Sequence, residues 1–268
     1  MSDLPPADPG PIDPPPIDSA LVDFAVGVAR AAGELTLRWY RNDDLSVDHK
    51  RDGSPVTAAD LAAETLMRER ILEKFPDDAV MGEEHHDTDG TSGRTWVIDP
   101  IDGTKAFTKG VPLYSNLLAL IDEHGPAIGV INLPALGETV WAGRGLGAFH
   151  NAGPCRVSNQ ADLDGAYAMT SGFGYWPDDA LRAVLDSPVV FRTWGDAYGY
   201  ALVATGRAEA MIDPLANPWD VAAMAVIIPE AGGRYTTFDG ADGPDAWKTG
   251  SGVGTNGAVH DELLRIWR

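Results

Sequence analysis

Cysteine is almost absent from this chain of 268 residues, in which Cys155 is the single example. One thiol cannot form an internal disulfide or a multi-cysteine zinc site. Long apolar runs are also missing, since none approaches the roughly 18 residues that a membrane-spanning helix needs. The first residues lack the basic-then-apolar pattern of a secretory signal. We therefore expect a cytoplasmic protein with no membrane partner.

Positive charge is scarce as well, because 20 Lys and Arg residues against 40 Asp and Glu residues give a net charge of −20. A chain of that sign repels nucleic acid and anionic membrane surfaces at long range, so neither is expected as a partner. The same excess of acidic residues suits the binding of cations. An anionic substrate would need local positive charge, from metal ions or from helix N-termini.

Composition and periodicity divide the chain into a tail and two halves. Residues 1–17 hold seven prolines and almost no apolar periodicity, which predicts a disordered tail. Residues 18–155 begin with two amphipathic helices and continue with short β-like runs. Residues 156–268 alternate strands with helices. We expect an N-terminal α+β half and a C-terminal α/β half.

A short apolar strand beginning at Trp96 runs into two aspartates, Asp99 and Asp102. Carboxylates that share a site repel each other unless a cation lies between them. Pro100 is expected to end the hydrogen-bond ladder and to force a turn. Asp99, the Ile101 carbonyl and Asp102 would then offer three oxygen ligands of the kind that Mg²⁺ prefers. A simple turn is the alternative, because Asp, Pro and Gly are common turn residues.

The next three residues, Gly103, Thr104 and Lys105, are expected to begin a short helix. Free N–H groups and the positive end of the helix dipole at such a position bind phosphate. A cation site and an anion site would therefore be adjacent.

Other acidic residues stand at the ends of predicted elements. Glu83 and Glu84 follow a short predicted strand, and a solvated acidic loop is the alternative for them. Asp220 opens a helix predicted over residues 220–230, where capping is the alternative. Asp60 belongs to a capping pattern at the start of the second helix, so it is either a cap or a general base.

Three segments in this order resemble the signature sequences of the inositol monophosphatase superfamily of metal-dependent, lithium-sensitive phosphatases. They are Gly82-Glu-Glu84, Trp96-Val-Ile-Asp-Pro-Ile-Asp-Gly-Thr104, and Trp219-Asp-Val-Ala-Ala223 followed by Glu230-Ala-Gly-Gly233. The resemblance extends over essentially all of the chain outside the proline-rich tail. It implies a layered α/β (α+β) sandwich of alternating α-β-α-β-α layers, and it implies a homodimer.

The resemblance also implies a metal site in the N-terminal half. The metal ligands would be Glu83, Asp99, the Ile101 carbonyl, Asp102 and Asp220. Glu84 is ranked below Glu83 as a ligand. These groups would hold two or three Mg²⁺ ions, for which Mn²⁺ is a substitute.

Two residues match the catalytic pair of the superfamily, in which Asp60 and Thr104 orient and deprotonate the attacking water. Gly103 and Thr104 match the backbone N–H donors to phosphate. The activity implied is phosphate monoester hydrolysis, for which positioning and charge neutralisation supply the acceleration. A cation-binding scaffold without activity is the non-enzymatic alternative, and such a scaffold would need neither member of the pair.

Two further segments resemble the histidinol-phosphatase branch more than the inositol branch. They are Gly103-Thr-Lys-Ala-Phe107 with Gly110-Val-Pro-Leu113 after it, and Trp194-Gly-Asp-Ala-Tyr-Gly-Tyr200. The expected substrate is L-histidinol phosphate, a small phosphorylated alcohol of histidine biosynthesis. Inositol 1-phosphate, hydrolysed with broad specificity, is the alternative.

Charge supports that choice of substrate. Histidinol phosphate carries an ammonium group and a basic imidazole, whereas inositol phosphate carries only neutral hydroxyls beside its phosphate. Asp213 lies seven residues before Asp220, where the superfamily commonly places a carboxylate that contacts the substrate, and Asp196 begins another predicted helix. We expect Asp196 and Asp213 to contact the substrate. A helix cap and a turn residue, respectively, are the alternatives.

Overall fold

The computed structural model of the protein describes residues 14–42, 46–50, 53 and 55–268. The predicted disorder of residues 1–13 therefore lies outside the described residues. Within the same proline-rich segment, Pro15 and Ile17 are held by Arg144. The Arg144 Nε donates to the Pro15 carbonyl at 3.1 Å, and the Ile17 N–H donates to the Arg144 carbonyl at 3.0 Å.

The described residues form α-helices α1 to α8 and β-strands β1 to β14. In chain order they are α1 Ser19–Thr36, β1 Val47–His49, β2 Pro55–Thr57, α2 Ala58–Lys74, β3 Ala79–Gly82, β4 Thr95–Asp102, α3 Thr104–Thr108, β5 Ser115–Asp122, β6 Gly125–Leu133, β7 Glu138–Gly143, β8 Gly147–His150, β9 Gly153–Cys155, β10 Tyr167–Met169, α4 Asp178–Leu185, β11 Val190–Arg192, α5 Ala197–Ala204, β12 Ala210–Asp213, α6 Pro218–Val221, α7 Met224–Glu230, β13 Arg234–Thr236, β14 Gly252–Thr255 and α8 His260–Leu264. Among the described residues, none of the helices combines the length and the apolar composition of a membrane-spanning segment.

The strands form two large sheets and a separate pair. Seven strands lie in the order β3-β4-β5-β6-β7-β8-β9, with β3 parallel to β4 and the remaining neighbours antiparallel. Five strands lie in the order β11-β10-β12-β14-β13, in which β10 is parallel to both of its neighbours. β1 pairs with β2 in an antiparallel hairpin.

Alternating residues of the seven-stranded sheet face two different helical layers. Ile98 and Leu118 pack in a buried cluster with residues of α1 and α2. Val97 and Leu117 pack in another cluster with residues of α5 and α7. Because side chains of a strand alternate between its faces, this pattern is that of a sheet covered on both sides.

The five-stranded sheet continues the stack. Met211 of β12 packs with α5 and α7, whereas Ala210 and Ile212 of the same strand pack with residues of α4 and α8. The layers are therefore α1 and α2, the large sheet, α5 to α7, the small sheet, and finally α4 and α8. The α-β-α-β-α sandwich expected from the sequence is confirmed.

β4 does not end where the sequence suggested. It runs through Pro100 to Asp102, so the expectation that Pro100 ends the ladder is wrong. The register shifts between Asp99, which pairs with Leu117, and Asp102, which pairs with Ser115. Three residue steps on β4, from Asp99 to Asp102, thus lie opposite two steps on β5, from Leu117 to Ser115. β4 therefore contains a β-bulge. A bulge tolerates proline because it locally interrupts the ladder.

The helix predicted over residues 220–230 is divided between α6 and α7. α6 begins earlier, at Pro218, because Asn217 caps it and proline suits the first helical turn. Ala222 and Ala223, between the two helices, keep right-handed helical backbone angles. The expected helical segment is therefore present but interrupted.

Candidate active site

The carboxylates of Asp99, Asp102 and Asp220 converge, although they come from β4 and α6. One oxygen of each lies within 4.8 Å of the others. Asp99 and Asp102 are three positions apart and would face opposite sides of a regular strand. The extra residue of the bulge turns both to the same side. A local irregularity thus creates the cluster.

Burial and mutual repulsion dominate the electrostatics of this cluster. Burial is the main cause that holds the pKa of Asp99 well above its ordinary value, and the charges of Glu83, Asp102 and Asp220 add to it. Burial likewise raises the pKa of Asp102, helped by Asp196. It raises the pKa of Asp220 to about 7. A divalent cation among these groups would remove the repulsion.

Glu83 and Glu84 lie beside the cluster, at the end of β3. Their side chains are 18% and 4% exposed, so they do not form a solvated loop. The Lys50 Nζ, from the turn after β1, lies 2.7 Å from a carboxylate oxygen of each. Burial alone would lower the pKa of Lys50, but hydrogen bonds to the two glutamates outweigh it and raise that pKa. Glu83 and Glu84 thus already bind one cationic group, the ammonium of Lys50.

Asp60 caps α2 with one carboxylate oxygen and leaves the other without a partner among the described residues. Its Oδ2 accepts hydrogen bonds from the Thr57 N–H at 2.8 Å and from the Thr57 Oγ1 at 2.6 Å, which completes a capping box. Its Oδ1 is buried and has no hydrogen-bond partner among the described residues. Burial raises the pKa of Asp60 to about 6 against the Thr57 hydrogen bonds, with a contribution from Glu83. The free oxygen remains available as a proton acceptor.

Asp220 also combines capping with membership of the cluster. Its Oδ2 accepts a hydrogen bond of 2.6 Å from the Asn217 N–H and another of 3.3 Å from Asn217 Nδ2. The capping alternative is therefore observed, and it does not exclude a second role. Capping fixes the carboxylate at the start of α6, close to Asp99 and Asp102.

The segment after β4 turns sharply into α3. Gly103 has a φ of 77°, in the left-handed region that favours glycine, and a side chain there would also approach Asp196 Oδ2 to 3.0 Å. The Thr104 Oγ1 donates to the Ile101 carbonyl at 3.0 Å. Lys105 Nζ donates to the Tyr175 Oη at 2.8 Å. The short helix expected at this position is therefore present.

These groups line two connected cavities of about 230 Å³ and about 330 Å³. The residues that line both are Asp102, Ser171, Tyr175, Asp196 and Asp220. The first cavity contains the acidic cluster, and the second extends between α5 and the end of β12. One site therefore has an acidic end and a separate chamber beside it.

Asp196 and Asp213 lie together in the second chamber. Asp196 precedes α5, but its side chain caps none of the described N–H groups of that helix. Asp213 ends β12 and is buried, so it is not an exposed turn residue. Ser171 Oγ donates to Asp213 Oδ1 at 2.6 Å and accepts from the Asp196 N–H at 3.0 Å. Burial raises the pKa of Asp196, and it raises that of Asp213 to about 7.

Several residues that border this site were not predicted from the sequence. Lys50 reaches it from a segment with no recognisable pattern of its own, and Ser171 and Tyr175 reach it from a glycine-containing segment. Lys105 was noted only as part of a helix start. The glycines around Tyr175, in the stretch Ser171-Gly-Phe-Gly-Tyr175, were the one local sign of a functional turn.

Comparisons with known proteins agree with this arrangement. The profile of the inositol monophosphatase family matches residues 18–267. A histidinol-phosphatase of Chlorobaculum parvum is 45% identical over 226 residues, covering 82% of this chain and 86% of that protein. A histidinol-phosphatase of Mycobacterium tuberculosis is 40% identical over 249 residues, covering 90% and 95%. The solved structure of a Thermotoga maritima IMPase superposes with a TM-score of 0.82 at 32% identity, covering 92% of this chain and 96% of that one.

Proposed function

The chain belongs to the inositol monophosphatase family, and on that premise we propose that it is a phosphoric monoester hydrolase whose substrate is L-histidinol phosphate. The reaction consumes water and releases L-histidinol and inorganic phosphate. The observation that carries the proposal is the convergence of Asp99, Asp102 and Asp220 beside a chamber that holds two more carboxylates. The relatives named histidinol-phosphatase support the choice of substrate.

The acidic cluster has the chemistry of a magnesium site. Its donors are carboxylate and carbonyl oxygens, which Mg²⁺ prefers. Burial, with mutual repulsion added to it, raises the pKa values of the Asp99 and Asp102 carboxylates, and a cation would relieve that repulsion. We assign as ligands Glu83, Asp99, the Ile101 carbonyl, Asp102 and Asp220. Two or three Mg²⁺ ions, replaceable by Mn²⁺, are proposed. Bound there, such ions would neutralise the phosphoryl oxygens and lower the pKa of water.

Asp60 and Thr104 are proposed to prepare the attacking water. The Thr104 hydroxyl donates to the Ile101 carbonyl, so its oxygen is free to accept a hydrogen bond from the attacking water and to fix the orientation of that water. Asp60 keeps one unpaired oxygen, and its pKa of about 6 leaves it ionised above neutral pH. A carboxylate with a pKa near the working pH is a suitable proton acceptor.

Phosphate is proposed to lie at the start of α3. Gly103 and Thr104 line the first cavity at the left-handed turn into α3, and their N–H groups are proposed to donate to phosphate oxygens. Lys105 follows and brings a positive side chain to the cavity wall. The positive charge of Lys105 thus reduces the repulsion that an anionic substrate meets from the acidic residues around the cavity.

The organic part of the substrate is proposed to occupy the second chamber. A substrate ammonium or imidazolium group would favour the ionised forms of Asp196 and Asp213, whose burial otherwise opposes ionisation. The neutral hydroxyls of inositol would not do so. Tyr175 lines both cavities, and its aromatic ring is proposed to contact the imidazole ring.

A substrate comparison tests this proposal. In Mg²⁺, kcat/KM should be clearly higher for L-histidinol phosphate than for inositol 1-phosphate, and EDTA should abolish both activities until Mg²⁺ is restored. Preference for inositol 1-phosphate would favour the alternative phosphatase. Absence of phosphate release with either ester in both Mg²⁺ and Mn²⁺ would favour a non-catalytic scaffold.

A cytoplasmic homodimer is proposed on the basis of family membership. Light scattering during size-exclusion chromatography should give twice the 28.5 kDa mass of one chain. A mass of one chain at micromolar concentration would contradict the dimer.

A further inference from the structure

Three charged residues of α2 are buried along one face of the helix. Asp60, Glu64 and Arg68 follow one another at intervals of four residues, and they are 0%, 0% and 8% exposed. That interval places side chains one above another on a helix. The face they form lies against the segment that follows β3 and carries Glu83 and Glu84.

The Glu64 carboxylate is bonded to the backbone of this segment. Its Oε2 accepts a hydrogen bond of 2.7 Å from the Glu84 N–H. Its Oε1 accepts from the His85 N–H at 3.2 Å and from the Arg68 Nε at 2.7 Å. Both oxygens are thus used, and two of the three donors belong to the segment rather than to α2.

Arg68 also forms hydrogen bonds with the segment that follows β3. Its Nη2 donates to the His85 carbonyl at 3.3 Å, and its Nη1 donates to Thr88 Oγ1 at 3.2 Å. The backbone of His85 is therefore held at its N–H by Glu64 and at its carbonyl by Arg68. A planar guanidinium can make such contacts in fixed directions.

The close approach of α2 and the end of β3 depends on Gly82. A side chain at this position would overlap Glu64 Oε1 and Arg68 Nη2. With glycine there, β3 ends directly against the ion pair. The next residue along the chain, Glu83, is therefore placed by contacts on both sides: the end of β3 before it and the bonds to Glu84 and His85 after it.

A buried ion pair contributes little net stability compared with apolar residues of the same shape. Glu64 and Arg68 instead form hydrogen bonds with the backbone of Glu84 and His85, in the segment that carries the acidic residues Glu83 and Glu84. We infer that Glu64 and Arg68 act together as positioning residues that hold Glu83 and Glu84 in place for cation binding. The inference rests on the proposed function, in which Glu83 is a ligand.

Binding of Mn²⁺ alone, followed by the electron paramagnetic resonance signal of the free ion, tests the inference. Glu64→Gln keeps the shape but presents an NH₂ group to at least one of the donors now bound. We expect its dissociation constant for Mn²⁺ to rise about tenfold or more, as is usual when groups that orient metal ligands are changed. The half-saturating Mg²⁺ concentration for activity should rise in parallel.

Asp78→Asn is the matched control. Asp78 is also fully buried, accepts hydrogen bonds from Arg94 at 3.0 and 2.9 Å and from Trp96 Nε1 at 2.9 Å, and lies at the opposite end of β3. This substitution should lower the melting temperature but leave Mn²⁺ affinity within about twofold of the wild type, since it touches no group that orients a ligand.

The outcomes separate the inference from the function on which it rests. If the wild type does not bind Mn²⁺, the proposed function fails. If the wild type binds and Glu64→Gln binds equally well, or if Asp78→Asn loses as much affinity, the inference is overturned while the function stands. If Glu64→Gln does not fold, Arg68→Lys decides. It keeps the charge beside Glu64 but loses the donors to His85, and unchanged Mn²⁺ affinity would overturn the inference.

Discussion

The carboxylate of Asp102 accepts a hydrogen bond of 2.8 Å from the backbone N–H of Ala197. Asp102 ends β4 in the N-terminal half of the chain, and Ala197 begins α5 in the C-terminal half. The same oxygen, Oδ2, also accepts from Ser115 Oγ at 2.8 Å, which leaves Oδ1 for another partner. The acidic cluster is therefore complete only when the two halves are assembled.

Replacing Asp99 by asparagine should separate activity from stability. The change removes one charge from the cation site, so kcat should fall roughly a hundredfold or more, equivalent to at least ~2.7 kcal/mol of barrier. In EDTA the melting temperature should stay the same or rise, because repulsion with Asp102 and Asp220 is relieved. Steady-state kinetics and thermal unfolding measure the two effects.

Asp122→Asn is the control for Asp99→Asn, because it should lose stability and keep activity. Asp122 lies at the far end of β5 and pairs with Arg144, each side chain being 15% exposed. Its loss should lower the melting temperature and spare kcat. An equal loss of kcat and stability in Asp99→Asn would count against its assignment as a ligand.

Replacing Asp213 by asparagine should change substrate preference. Asparagine retains the shape and can still accept from Ser171, but it has no charge to offer a cationic substrate. KM for L-histidinol phosphate should rise by about tenfold or more, the usual cost of losing a hydrogen bond to a charged group. The effect on inositol 1-phosphate should be smaller, and equal effects on both esters would argue against an electrostatic contact.

Tyr175 gives a prediction that distinguishes its ring from its hydroxyl. Tyr175→Ala should raise KM for L-histidinol phosphate by about threefold to tenfold, because an aromatic face beside the imidazole is lost. Tyr175→Phe retains the ring and loses only the acceptor for Lys105. It should therefore bind L-histidinol phosphate nearly as well as the wild type. If the phenylalanine variant is as impaired as the alanine variant, the hydroxyl is the important group.

His260 should make stability depend on pH. It is fully buried between Thr236 and Thr255, and burial, with the charge of Arg234, lowers its pKa to about 4. The unfolded chain, with an ordinary pKa near 6.5, binds more protons between these values. The contribution is therefore fully present above pH 6.5 and is lost as the pH falls toward 4, by roughly 3 kcal/mol in total.

Urea unfolding of the wild type and of His260→Gln between pH 7.5 and 5 measures this effect. Other titrating groups are common to both proteins, so they cancel in the difference. The stability advantage of the wild type should shrink as the pH falls. A difference that does not vary with pH would show that His260 is not held neutral.

Local rules account for the parts of the fold that were predicted well. α2 begins after Thr57 and ends before Pro76, because a capping hydroxyl and a proline act on their immediate neighbours. By contrast, β1 and β2 were not predicted. They are three residues each and are held by pairing with one another, so neither carries enough periodicity to be recognised.

The burial of charged side chains was the main feature that sequence patterns did not predict. Glu64 and Arg68 resemble an ordinary surface pair at a spacing of four, and only contact with the segment around His85 shows that they are inside. Leu61 of the same helix is apolar but 43% exposed. The face of a helix that is buried depends on what packs against it, which is a property of the assembled fold.

The order of residues along the chain determined that Asp99, Asp102, Gly103 and Thr104 would lie at one strand end, since they are neighbours and peptide geometry keeps them close. Periodicity predicted helices and strands in two halves of the chain, whereas the layered fold was predicted from the resemblance of the signature segments to a known family. The tertiary structure alone decided how Asp220 reaches them from α6, that a bulge would turn both aspartates to one side, and that α2 would direct charge inward. Those features depend on contacts between distant segments, whose free energies no single segment encodes.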